Sequence, residues 1–184
     1  KDGPLTSKLK NIKIGDEIIM MPKSTGTLVL DALKPGKRLF LLSSGTGFAP
    51  FAALIREPET YERFESIVVT HTCRMITELS YSQSIIQECR DDELLKEFID
   101  NKLLSYHSTT REDYIFNGRI TELLLTNKLF NDLKINSISS DDRFMFCGSM
   151  GLNNDLKKIM IKNNLHEGAN NNPAEFVLEK AFVD

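Results

Sequence analysis

Residues 38–50 read Arg38-Leu-Phe-Leu-Leu-Ser-Ser-Gly-Thr-Gly-Phe-Ala-Pro50. The near-continuous apolar run up to Ser43 is what a strand covered on both faces requires. Gly45 and Gly47 then let the backbone turn sharply, and Pro50 falls where the first turn of a helix tolerates it. The stretch therefore predicts a buried strand, a glycine turn and a helix running from Phe48 to Ile55.

The same alternation continues toward the C-terminus. Ser66–His71, Leu103–Ser108, Arg143–Cys147 and Glu175–Phe182 read as further strands. Helical segments are expected at Ile76–Cys89, Asp92–Ile99, Ile120–Leu125, Lys128–Leu133 and Asn153–Asn163. Apolar strands alternating with helices imply an α/β fold, a doubly wound parallel five-stranded sheet over residues 37–184. Ligands of such sheets bind beyond the carboxyl ends of the strands, where the strand order reverses. Residues 1–36 differ: Glu17–Met20 and Thr27–Leu30 are short β-like runs between turn signals, too few to make a stable domain.

Composition narrows the function. The 184 residues hold 23 Lys and Arg against 26 Asp and Glu, a net charge of −3, with 41% hydrophobic residues. That is ample for a core and gives no cationic surplus for nucleic acid or an anionic membrane. No uninterrupted apolar stretch approaches the ~20 residues that span a bilayer. Cys73, Cys89 and Cys147 lack CxxC spacing, which argues against a disulfide framework or a metal site and for the reducing cytoplasm. His71, His107 and His166 read as structural or exposed residues.

Three places carry candidate chemistry. The Gly45-Thr46-Gly47 turn opens a helix whose free N–H groups suit a diphosphate, although a ligand-free strand-to-helix turn has the same pattern. Arg74, Arg111 and Arg119 follow predicted strands and so fall on the binding edge. Each singly is an ordinary surface residue, but together they suit the extra 2′-phosphate of NADP through bidentate guanidinium contacts. Cys147-Gly148-Ser149 ends another strand at the same edge, where Gly148 lets a flat ring approach and Cys147, lacking a base, reads as a small apolar side chain. Gly3-Pro4-Leu5-Thr6-Ser7 opens a helix and offers either an anion cradle or a simple cap.

The order of these motifs resembles the bacterial ferredoxin/flavodoxin–NADP reductases: Gly3–Ser7, Ser44–Pro50, Arg74 with Glu78-Leu-Ser-Tyr81, Thr110-Arg-Glu112, Gly118-Arg-Ile-Thr121, Cys147-Gly-Ser149 and the tail Phe176–Asp184. The resemblance implies an enzyme that passes a hydride between NADP(H) and FAD and exchanges single electrons with ferredoxin or flavodoxin, as a cytoplasmic monomer at full length. It implies that Gly45, Thr46, Gly47 and Pro50 border the nicotinamide and diphosphate, that Arg74, Arg111 and Arg119 hold the 2′-phosphate, and that Cys147 and Gly148 face the nicotinamide beside the flavin, with Ser149 also binding cofactor. Gly3, Pro4, Leu5, Thr6 and Ser7 would bind the FAD diphosphate, with Ala181 against the isoalloxazine and Phe182 near the adenine of FAD. Residues 1–36 match only the last part of that family's FAD-binding β-barrel, and its Arg-x-Tyr-Ser motif is absent. An NADH-preferring oxygenase reductase and a nucleotide-binding module without electron transfer are the alternative readings.

Overall fold

Leu39 and Leu41 are buried in one apolar cluster and their neighbours Phe40 and Leu42 in another. A strand with both faces buried must lie at the centre of a layered sheet. This is β1 (Arg38–Ser44) in the computed structural model, which describes residues 3, 6–20, 22, 26–99 and 101–180. β2 (Ser66–Cys73), β3 (Leu103–Thr109), β4 (Asp142–Gly148) and β5 (Phe176–Lys180) join it in a five-stranded sheet of order β3-β2-β1-β4-β5. All four pairings are parallel. The chain winds outward from β1 to β3 and then returns to the other side of β1, so the order reverses between β1 and β4.

Helices cover both faces. α2 (Ala49–Leu54), α3 (Pro58–Arg63), α4 (Ser80–Asp91) and α5 (Lys96–Ile99) supply Phe51, Tyr61, Ile86 and Ile99 to the first cluster. α6 (Ile120–Leu125), α7 (Lys128–Leu133) and α8 (Met150–Lys162) supply Leu123, Phe130 and Leu156 to the second. A short α1 (Thr6–Leu9) precedes them. The expected α/β architecture is thus the observed one.

Several boundaries differ from the sequence-based expectation, each for a local reason. The expected helix over Ile76–Cys89 divides into a 3-10 turn (Ile76–Leu79) and α4; the Glu78 carboxylate tightens this turn by accepting the Arg74 N–H at 2.8 Å and the Met75 N–H at 3.3 Å. α5 begins late because the Asp92 side chain caps a preceding turn through the Leu94 and Leu95 N–H groups. α8 begins early because Ser149 accepts the Leu152 N–H. α3, led by Pro58, is unforeseen. Residues 16–20 form no strand, and Leu30–Ala32 is a 3-10 turn. A β-like run becomes a strand only beside a partner, and none pairs with residues 16–20 among the described residues.

Leu28, Leu30, Ala32 and Leu33 are buried in the first cluster, so the stretch before β1 contributes to the sheet's core. It is tied to the segment leading into β5 by Lys34 N–H to Ala174 O at 2.9 Å and by the Lys34–Glu175 ion pair, also 2.9 Å. Glu175 further accepts the His166 backbone N–H at 3.0 Å and meets its Nδ1 at 3.1 Å.

The switch point between β1 and β4 is fixed at both ends. At its base Arg38 and Asp142 are register partners joined by two 2.7 Å contacts, with the carboxylate buried. At its top the chain leaving β1 passes so close to β4 that a Cβ on Gly47 would lie 2.0 Å from the Cys147 carbonyl oxygen.

Two outcomes follow. Gly47→Ala forces backbone against backbone and is expected to cost about 2–3 kcal/mol of stability, measured by urea unfolding; a value near zero would refute the close approach. Burial pushes the Glu175 carboxyl up, but Lys34 and His166 outweigh it and hold it at about 2, below the ordinary 4.5. Its contribution is therefore complete above pH 4.5 and is lost as pH falls through about 2. Glu175→Gln is expected to destabilise by about 2 kcal/mol at pH 7, with the gap from the parent narrowing at pH 3.

Candidate functional site

At the carboxyl ends of β1 and β4 the strand order reverses, the place where open α/β sheets have their ligand crevice. From β1 the chain enters a 3-10 turn, Gly45–Phe48, and then α2 with Pro50 in its first turn. Gly45 has φ +53°, a conformation that disfavours a side chain, and nothing lies within 4 Å of where its Cβ would be. Gly45 and Thr46 are exposed, whereas Gly47 is buried against β4. The opening amides of such a turn have no partner within it and are free to meet an anion.

Across the crevice, Cys147 and Gly148 are buried at the end of β4, and Ser149 caps α8. Burial, aided by the charge of Glu179, pushes the Cys147 thiol up to about 11. It is therefore a neutral, compact side chain at pH 7, neither nucleophile nor base. Glu179 is its register partner on β5; the carboxylate accepts the Thr27 N–H at 3.3 Å, and the backbone oxygen accepts Asn153 Nδ2 at 2.9 Å. Sequence reasoning passes over Glu179, because only strand register places it beside Cys147.

A second, more open cleft of about 430 Å³ lies beyond the end of β3, lined by Thr109–Asp113, Asn117–Arg119 and Glu122. Its loop is internally braced. Thr109 Oγ1 donates to Glu112 O at 2.6 Å, Asn117 Oδ1 accepts the Tyr114 N–H at 2.9 Å, and the Gly118 N–H donates to Thr109 O at 2.9 Å. Arg111 and Arg119 both line the cleft and are exposed. Arg74 lies on the adjoining end of β2, where its carbonyl accepts the Arg111 N–H at 3.1 Å, but it is not part of the lining. Among the described residues none of these three guanidinium groups has an ion-pair partner, whereas Arg38, Arg56 and Arg63 all do. Glu112, also in the lining, accepts the Ile76 N–H on one carboxylate oxygen and so fastens the β2 and β3 loops together.

The structure thus gathers Gly45, Thr46, Gly47, Pro50, Cys147, Gly148 and Ser149 at one crevice and Arg111 with Arg119 at a neighbouring cleft. Gly3 accepts the Ser7 N–H at 2.9 Å at the start of α1. Pro4, Leu5, Ala181, Phe182 and the side chain of Thr6 lie outside the described residues. No group of His, Cys, Asp and Glu suited to a metal occurs among the described residues, and no helix among them is long and apolar enough to cross a membrane.

No family model matches the chain. It is, however, 50% identical over 183 residues to a flavodoxin/ferredoxin–NADP reductase of Rhodobacter capsulatus, covering 99% of this chain and 68% of that protein. It is 41% identical over 189 residues to a ferredoxin–NADP reductase of Azotobacter vinelandii, covering 100% of this chain and 72% of the relative. Among solved structures, a ferredoxin NADP+ reductase from Neisseria gonorrhoeae with bound FAD and NADP superposes with a TM-score of 0.83 at 24% identity, covering 99% of this chain and 71% of that one. The last likeness shows the shared fold, and the curated relatives extend beyond the stretch that this chain spans. With half its residues identical to a reductase of which it covers two thirds, the chain belongs to the ferredoxin/flavodoxin–NADP reductase family.

Proposed function

We propose that the chain carries the NADP-binding half of a flavin-dependent reductase, which moves a hydride between NADP(H) and FAD and single electrons to or from ferredoxin or flavodoxin. The observation that carries this reading is the pair Arg111 and Arg119, which line one open cleft at the carboxyl edge of a parallel sheet and have no ion-pair partner among the described residues. Two planar cations there match a phosphate monoester by charge-assisted, bidentate contacts. Arg74 on the adjoining strand end adds to the same field.

From that anchor the dinucleotide extends along the edge to the β1–β4 crevice. The Gly45–Phe48 turn offers its amides to the diphosphate, and the missing side chain at Gly45 leaves room for it. The neutral thiol of Cys147 and the backbone of Gly148 form a close, uncharged wall for the nicotinamide. A bound flavin supplies the exchange between two-electron and one-electron chemistry; the protein's share is orientation and electrostatics. Ala181 and Phe182 would border the flavin, with Gly3–Ser7 toward its diphosphate.

Residues 1–36 are read as the closing part of a flavin-binding barrel and residues 37–184 as the NADP-binding domain. Supporting the first assignment, Ile14, Ile18, Ile19 and Met20 present apolar side chains to solvent that packing against a barrel would cover. The three free cysteines fit a reducing cytoplasm. An NADH-preferring reductase is disfavoured by the three arginines, Arg74, Arg111 and Arg119, at the binding edge, which an NADH site lacking the 2′-phosphate does not need.

Arg111→Ala is expected to weaken NADP+ about tenfold or more while changing NAD+ affinity less than about twofold, by equilibrium titration. Equal losses for the two nucleotides would remove the 2′-phosphate assignment.

A further inference from the structure

His71 belongs to neither cleft, yet it grips the loop that would carry the diphosphate. It is 3% exposed, in the carboxyl half of β2. Its Nε2 lies 2.8 Å from the Gly45 carbonyl oxygen and its Nδ1 2.8 Å from Ser82 Oγ on α4. The Phe48 ring, at the end of the same glycine turn, stands 5.1 Å away. A carbonyl oxygen can only accept, so Nε2 carries the proton, and Nδ1 of the neutral ring faces the Ser82 hydroxyl, whose single proton it shares with the Leu79 carbonyl 2.9 Å from the same oxygen.

The surroundings favour that single state. Facing the ring are Cys73 Sγ, 3.2 Å from Nε2 on the same strand, Glu78 on the loop beyond, Ser82 on α4, and His107, its register partner on β3. Burial lowers the His71 pKa below the usual value, outweighing the opposing effects of the Gly45 hydrogen bond and Glu78. Burial, with the charges of His71 and of Arg90 on α4, brings His107 down to about 4. Burial and then Glu78 push the Cys73 thiol up to about 11, a backbone hydrogen bond with Gly45 pulling the other way. Both rings and the thiol are therefore uncharged at neutral pH.

Gly45 stands in a left-handed conformation before open space, and such a residue keeps one geometry only where its surroundings hold it. The geometry points to His71 as a positioning residue for the nucleotide: its Nε2–H fixes the Gly45 carbonyl on the buried side and so holds the amides of the turn toward the crevice. The inference rests on the reading that this turn carries the NADP diphosphate.

The test compares His71→Gln with His71→Asn in the full 184-residue chain. The glutamine amide reaches the Nε2 position and can still donate to Gly45; the shorter asparagine reaches only the Nδ1 position and keeps Ser82 alone. The ligands are NADP+ and adenosine 2′-monophosphate, which reaches the Arg111–Arg119 cleft but not the glycine turn. The expected result is NADP+ binding within about threefold of the parent for glutamine and about tenfold weaker for asparagine, with the monophosphate unchanged in both. Equal NADP+ affinity in the two variants, or parallel loss of both ligands, overturns the positioning role. Should His71→Asn fail to fold, Ser82→Ala replaces it, with about threefold weaker NADP+ binding expected and no change counting against the proposal. A parent chain that binds neither ligand sinks the NADP reading itself, and the inference with it.

Discussion

The pairing of β1 with β4 is the constraint on which the rest depends. These two strands are consecutive in space but far apart in sequence, so their register cannot be set by a turn and has to be set by side chains. Arg38 and Asp142 set it at the base, where the guanidinium also donates to the Asn136 and Ser137 carbonyls at 2.7 and 2.9 Å and the carboxylate also accepts the Ser139 N–H. Each guanidinium nitrogen and both carboxylate oxygens thereby have a partner, which is the condition under which burying an ion pair is tolerable. Slipping the register by one residue would break that set of bonds. It would also carry Gly47 away from the Cys147 carbonyl, where the backbones approach too closely for a side chain.

In the proposed reading, two sites at different strand ends divide recognition from chemistry. The crevice is built mainly from backbone, glycine and a neutral thiol, which suit the close approach of a flat ring and a diphosphate. The cleft beyond β3 is built from a braced loop and long cationic side chains, which suit selection between nucleotides that differ by one phosphate. Because Glu112 bonds to the Ile76 N–H and the Arg111 N–H bonds to Arg74 O, the loops after β2 and β3 form one unit. The spacing of the arginines is thus set by backbone connections rather than by their own flexible side chains.

Much of this was legible in the sequence. Leu39–Leu42 had to be a central strand because both parities are apolar, and the glycines after it had to end the strand; α6 and α7 have the expected limits. What the pattern could not reveal were contacts across strands. Glu179 becomes part of the crevice only through its register with Cys147, and His71 becomes a loop anchor only because β1 lies beside β2. Asp92, Ser149 and Glu78 shifted helix boundaries through side-chain bonds to backbone N–H groups, competition that apolar periodicity does not record. Glu17–Met20 has the composition of a strand, and composition is silent on whether a partner edge is present.

The buried polar residues show why the loops rise from one edge with defined geometry. Around β1, β2 and β3 they gather at the carboxyl ends: Ser43, Thr70, His71, Thr72, Ser108 and Thr109. The buried residues in the amino-terminal halves of those strands are Leu39, Phe40, Leu41, Ile67, Val68, Val69, Leu103 and Tyr106, apolar or aromatic throughout. Ser43 Oγ donates to Thr70 O at 2.6 Å, and Thr72 and Ser108 share a hydroxyl bond of 2.8 Å. A hydrophobic contact is non-directional and would let neighbouring strand ends slide; a buried hydrogen bond has a preferred length and angle and is costly to leave unmade. The buried core of the sheet is therefore apolar where it needs only cohesion and hydrogen-bonded where the loops depart, and His71 and Thr109 are members of that polar layer whose bonds reach out of the sheet to a loop.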